Sequence, residues 1–550
     1  MNAIRPILEN LLVPIRTERL EVDSNTSTSD GDSNNDGDIT TSDDTIFLRR
    51  IALLRRIEEE LITLEQAKEL ANWDGERHVP QDGKDGRIKQ REILERLYHE
   101  TVTSRQVACL IDDLSEPNSY QRLSETEKAR LKHLKDKHTE RKNKPSRFVQ
   151  KKEELEGKSH KILEEAREKN DFNIIVSHFE KLIELYRKEA EYIGYKGSPY
   201  DAHLVAWEPG MTTEKLEDVC KILKKELVPI IKKIKCAELK INNDFNHGEY
   251  DDEKLVQFCK ELSRQIGFDF NTGRIDISSE PACTITGKND IRVNIPTDAN
   301  LMGVISYILH EGGHALYAQG YAEEIKDSLI ATCPSIAIDE AQAKLYEMII
   351  GRGRPFWIHN FPKLKELFPD ELKDVNFEDF YRGINKIEIT AERTNDDELI
   401  TIIYCITRFE IERDLIEGKL EVKGLPMEWC KKIMDYIGVI PNNYTNDILY
   451  DDHWFEGFIG YFPTYILGNL YAAQIWNAAK RDIPDLEVLI ASGDMKTLRE
   501  WLREKIHKYG DLKTTEEIIK AATGEGLNPR YYIEHLKEKL KKLYPEAFKT

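Results

Sequence analysis

The amino-acid sequence predicts a mainly α-helical protein with one small β element, on three observations. Apolar residues recur at helical spacing through most of the chain. Strand signals are confined to one stretch. No segment repeats with a period of about 20–50 residues, so a solenoid is excluded.

The elements follow in order. Residues 23–44, DSNTSTSDGDSNNDGDITTSDD, hold seven Asp and no Lys or Arg, too little apolar surface to fold around. Residues 1–45 are therefore read as an acidic, flexible arm. From 46 to 550 the chain reads as one helical domain. Residues 46–72 repeat apolar positions at helical spacing: Ile46, Leu48, Ile51, Leu54, Ile57, Leu61, Leu64, Ala67 and Ala71. Residues 122–170 are highly charged, which predicts long solvent-facing helices. An amphipathic helix opens at Thr212-Thr213-Glu214 and runs over 213–240, and 484–546 continue the pattern. The β element falls near Ile275–Ile295, where TITGKNDIRVNIP alternates briefly between turn residues.

Composition bounds what such a chain can do. Its 550 residues carry 80 Lys+Arg against 100 Asp+Glu, a formal charge of −20, which repels nucleic acid. A 40% apolar content supports a large core. No run approaches the 18 or so apolar residues that span a membrane, and the N-terminus shows no secretory cleavage site. Eight scattered cysteines without a CxxC pair predict reduced thiols in a cytoplasm.

The segment GVISYILHEGGHALYAQG contains His310-Glu311-Gly312-Gly313-His314. Positions i and i+4 share one helical face, so the two imidazoles can converge on one zinc ion. Glu311 then stands beside the metal without ligating it, placed to take a proton from a water. Two mid-helix glycines cost about 0.8–1 kcal/mol each, and leave room for a substrate or a neighbouring strand. A third ligand is expected downstream in IAIDEAQAKLYEMIIGR, from Asp339, Glu340 or Glu347. Spacing alone does not choose among them.

These residues, with DEAQAKLYEMIIGRGRPFW and DDHWFEGFIGYFPTYILGN, resemble the carboxypeptidase Taq family of zinc metallocarboxypeptidases. ANWDGERHVPQDGKDGR, SPYDAHLVAWEPGMT and ATGEGLNPRYYIEHLKEK extend the resemblance over about residues 46–548. It implies a large helical zinc-peptidase fold with a deep substrate groove, a homodimer, and removal of C-terminal residues from peptides with broad preference.

Position by position, the resemblance puts the zinc ligands on His310, His314 and Glu340, the last within a HES-type motif that here reads Asp339-Glu340-Ala341. The catalytic glutamate is Glu311. A GxxQDxHW motif falls on Asp447–Trp454, keeping Asp451, His453 and Trp454 but not its Gly and Gln. An IRxxAD motif keeps Arg393 and Asp397. DxRxT keeps Asp290 and Arg292 but has Asn294 for Thr, and HPF keeps only Pro281. Metal and base positions are thus intact while the groove has drifted.

The expected roles follow from the chemistry. His453 with Tyr461 stabilises the oxyanion of a tetrahedral intermediate, and Tyr465, Asp451 and Arg292 are read as substrate-binding, Arg292 by shaping the closed end of the groove. Arg393 offers a bidentate, permanently charged fork for the terminal carboxylate. One zinc per chain is expected, with cobalt able to substitute. Two other readings stand: an oligopeptidase or dipeptide-releasing peptidase with an altered groove, and a catalytically vestigial binding protein. Residues 32–43 also match the spacing of a calcium loop, with Gly37 at position six and Asp43 at position twelve. The default for that tract remains a flexible acidic arm.

Overall fold

The computed structural model describes residues 38–237, 241–391, 397–441 and 443–548. The chain divides into two units, 1–49 and 50–550. In the first, the described part opens a 40-residue helix, Asp38–Arg77. The described helix thus begins at residue 38, inside the segment read from the sequence as the arm. The first half of the calcium-loop match, 32–37, lies outside the described residues, and its second half is helical.

Within the second unit the predicted helices form. Ile51, Leu54, Ile57, Leu61 and Ala71 are buried, as their spacing requires, while Ile46 and Leu48 at the start of the run are exposed. The charged stretch becomes helices Glu125–Asn143 and Ser146–Glu168, the first opened by a Ser124/Glu127 capping box. Each buries a narrow stripe, Leu131 and Leu134 on one, Phe148, Leu163 and Ala166 on the other. Helix Asn173–Ile193 packs on Ser146–Glu168. Helix Thr213–Cys236 is capped by Thr212. The 484–546 region folds as Leu486–Ser492, Lys496–Lys505, Thr515–Thr523 and Arg530–Leu543.

The β element is a three-stranded sheet of β1 (Gly273–Ile277), β2 (Ala282–Gly287) and β3 (Asp290–Ile295), in the order β1-β3-β2. β3 runs parallel to β1 and antiparallel to β2. Its Ile291, Val293 and Ile295 are buried, and the strand packs against helix Leu301–Gln319.

That helix, the motif helix, stands in the core. Three others are packed around this centre: the acidic helix Ile336–Lys344, the arginine helix Glu398–Ile416 and the tyrosine helix Phe462–Asp482. All four are buried along most of their length, as expected of helices surrounded by others. All eight cysteines are free. Among the described residues, no helix is long and apolar enough to cross a membrane.

Candidate active site

The motif helix starts at Asn300, whose side chain accepts from Gly303 N at 2.7 Å. Three turns later it presents His310 and His314 on one face, their Nε2 atoms 3.3 Å apart. Glu340 on the acidic helix brings Oε2 to 3.9 Å from His310 Nε2. One ligand atom from each of the three residues lies within 4.8 Å of the others. Bonds of about 2.0–2.1 Å in a tetrahedron set neighbouring donors about 3.3 Å apart, so two of these atoms already stand at zinc spacing. Glu340 Oε2 is buried with no hydrogen-bond partner. A cation is the partner that such a buried carboxylate oxygen needs. The residues fit zinc.

The approach of the two helices depends on glycine. A Cβ on Gly313 would stand 2.6–2.8 Å from backbone atoms of Gln342 and Ala343, so the room left by that glycine holds a helix, not a strand or a substrate. Gly468 does the same from the tyrosine helix, where a Cβ would lie 2.8 Å from Glu340 Cβ.

Behind each imidazole stands a carboxylate. His310 Nδ1 lies 2.8 Å from Glu347 Oε2, which also accepts from Lys344 Nζ at 2.8 Å. His314 Nδ1 lies 3.1 Å from Asp339 Oδ2. Glu340 faces the ligand point, while Asp339 and Glu347 face the outer ring nitrogens. Glu347 sits in a π-helical turn, Leu345–Ile350, that continues the acidic helix. Burial alone would raise its carboxyl, but Lys344 and His310 outweigh that and hold it down to about 2.

Glu311 lies beside the ligands, buried and on the groove surface. Burial pushes its carboxyl up, against the pull of His310 and His314, and the neighbouring Glu340 and Glu347 push the same way as burial. A carboxylate with raised proton affinity is suited to accept and return a proton.

The groove over this site encloses about 790 Å³. β2 supplies one wall through Ala282, Cys283 and Ile285, and Tyr450, Tyr461 and Tyr465 supply another. Tyr461 Oη lies 3.4 Å from Glu340 Oε1. Burial, with nearby Tyr465 and Glu340, pushes that hydroxyl well up, so it remains a donor. His453 reaches the groove through Tyr465, with Nε2 3.4 Å from its Oη. Its ring packs on Phe462 and Tyr461, with centroids 4.7 and 5.4 Å away.

Two predicted residues stand elsewhere. Asp451 is buried and forms an ion pair with Arg408 at 3.1 Å and accepts from Tyr404 Oη at 2.9 Å, so it is taken up inside the protein. Arg292 spends its fork on Asp290, at 3.0 and 2.7 Å, and stacks on Trp73 with its guanidinium carbon 4.2 Å from the ring centre. Neither lines the groove, and each is engaged by partners inside the protein. Arg393 lies outside the described residues. Asp397, from the same motif, caps the arginine helix by accepting from Leu399 N and Ile400 N.

The carboxypeptidase Taq (M32) metallopeptidase family matches residues 53–540. The chain belongs to that family. It is 33% identical to Carboxypeptidase 1 of Bacillus subtilis over 493 residues, covering 90% of this chain and 97% of the relative. Thermostable carboxypeptidase 1 of Pyrococcus furiosus is 31% identical over 86% of this chain and 95% of its own length. The crystal structure of the M32 carboxypeptidase from Deinococcus radiodurans superposes with a TM-score of 0.87 at 30% identity, covering 90% of this chain and all of that one. The chain is a metallocarboxypeptidase, a peptide hydrolase.

Within this carboxypeptidase Taq fold, several wall residues escaped sequence reasoning. Lys344, Cys283, Cys333 and Tyr450 all line the groove. Tyr450 occupies the Gln position of GxxQDxHW, and that departure was the one available signal. For the cysteines no local pattern exists, because their place is set by β2 and by a loop 50 residues on.

Proposed function

We propose that this metallocarboxypeptidase holds one zinc ion per chain with His310, His314 and Glu340, and removes C-terminal residues from peptides. The supporting observation is the convergence of two Nε2 atoms and an unpartnered, buried Glu340 oxygen at the groove, with Glu311 alongside. Zinc, when bound, supplies Lewis acidity to the scissile carbonyl and eases loss of a proton from the attacking water. Glu311 takes that proton and passes it to the departing amine nitrogen as the C–N bond breaks. Tyr461, and His453 acting with Tyr465, place donors where negative charge develops on the carbonyl oxygen. Arg393 grips the terminal carboxylate. Unpaired cysteines support a reducing, cytoplasmic setting, and the family resemblance supports a homodimer and cobalt substitution. An oligopeptidase would cut without regard to a free C-terminus, and a vestigial protein would not need Glu311 beside intact ligands.

The test is metal analysis joined to mass spectrometry of cleaved peptides. About one divalent ion per chain and stepwise loss of single C-terminal residues are expected. C-terminal amidation removes a hydrogen bond to a charged group, worth about 1.5–3 kcal/mol, and should slow cleavage roughly 10–150-fold. Equal cutting of free and amidated peptides would favour the oligopeptidase. Active protein free of transition metal would overturn the metal assignment.

A further inference from the structure

The two imidazoles are backed by unequal acids. Glu347, behind His310, is buried and its charge is shared with Lys344 at 2.8 Å. Asp339, behind His314, keeps 27% of its side chain exposed, lines the groove, and has no Lys or Arg ion pair among the described residues.

We propose that Asp339 is a positioning residue for the metal, fixing the tautomer and aim of His314 and making it the firmer of the two imidazole ligands. The inference rests on His314 being a ligand. The two Nε2 atoms face each other at 3.3 Å, leaving each Nδ1 to point outward. His314 Nδ1 stands 3.1 Å from Asp339 Oδ2 as an ion pair without an aligned hydrogen bond, so a proton on Nδ1 faces the carboxylate and the Nε2 lone pair is left for the ion. An anionic acceptor draws that proton and raises the donor strength of Nε2. Glu347 does the same for His310 more weakly, since Lys344 already neutralises it.

The test compares full-length parent, Asp339→Asn, Asp339→Glu and Glu347→Gln proteins. Zinc affinity is measured by competition with a chelating dye, and ligand geometry by the visible spectrum of the cobalt form. Asp339→Asn should bind zinc about 10–100-fold more weakly and shift the cobalt bands, with the metal-free protein melting as the parent does. Asp339→Glu should recover most of the affinity, and Glu347→Gln should lose less than Asp339→Asn. Parent-like affinity in Asp339→Asn overturns the proposal. So does a metal-free variant melting far below the parent, which would make Asp339 a folding residue. A parent protein that binds no zinc would instead sink the ligand reading beneath it.

Discussion

The metal side of the groove and its aromatic wall are built in opposite ways. His310, Glu311, His314, Asp339, Glu340 and Glu347 sit on two adjoining stretches of helix, each placed by its own spacing. The wall is carried partly by the non-helical run Asp447–Tyr461, and its position comes from distant anchors. Arg408 donates to Asp447 O at 2.7 Å and pairs with Asp451. Glu412 accepts from Trp454 Nε1 at 2.8 Å and Gly460 N at 2.9 Å, while Trp207 Nε1 donates to Ile459 O at 2.8 Å. Helices hold one side through periodicity; buried polar contacts hold the other.

That contrast can be broken by mutation, and the largest effect belongs to the metal side. Glu311→Gln should keep its metal and lose turnover about 10²-fold or more, the usual scale of general-base catalysis. Measuring kcat per bound ion decides it, and parent-like kcat would remove Glu311 from the mechanism.

On the wall side, Asp451→Asn removes the charge that pairs with the buried Arg408 guanidinium at 3.1 Å. Breaking such a pair costs about 3–5 kcal/mol, so the melting temperature should fall steeply while zinc affinity per folded molecule stays near the parent's. A variant that lost zinc without losing stability would merge the two sides into one.

A smaller pair of changes sharpens the metal side alone. Gly313→Ala drives a methyl into the backbone of Gln342 and Ala343, an overpacking of about 1–3 kcal/mol that should also weaken metal binding. Gly312→Ala meets only the flexible tip of Ile266, and a helix gains about 0.8–1 kcal/mol from the added Ala. It should be neutral or stabilising by thermal melting. Equal damage from both would mean that the close helix approach is not what matters.

The smallest expected effect is a pH dependence. Glu208 is buried between Tyr471 and Ser335, and burial raises its carboxyl from 4.5 to about 7 despite those hydrogen bonds. A carboxyl raised on folding contributes stability that is complete below the unfolded value and lost as pH rises through the folded one. Stability attributable to Glu208 should therefore decline between pH 4.5 and about 7. Glu208→Gln should flatten that slope in melting temperatures taken at pH 5 and pH 8. An unchanged slope would place the titration elsewhere.

The same contrast governs what could be read from the letters. HEGGH, the downstream acids and the helical framework were legible because each depends on separations of three to seven residues. Spacing did not choose among Asp339, Glu340 and Glu347, since all three reach the site and a π turn sets where Glu347 points; the family resemblance chose Glu340. Arg292 and Asp451 were read as substrate contacts from their motifs, yet Asp290, Trp73 and Arg408 engage them. Nothing local says that an arginine's partner stands two residues away, or that an aspartate's stands on a helix more than 40 residues upstream. The parallel β1–β3 pairing was likewise hidden, being a fact of topology.

Gly313 also changes how the signature should be spelled. HExxH is written with two wild-card letters, as though any residue served there. In this chain the second wild card is already decided by a helix some 30 positions downstream, which admits hydrogen and nothing larger. Spelled HExGH, the pattern would carry news of a partner that it does not contain. A five-letter word would then announce the sixth residue, the distant carboxylate, whose place depends on that missing methyl.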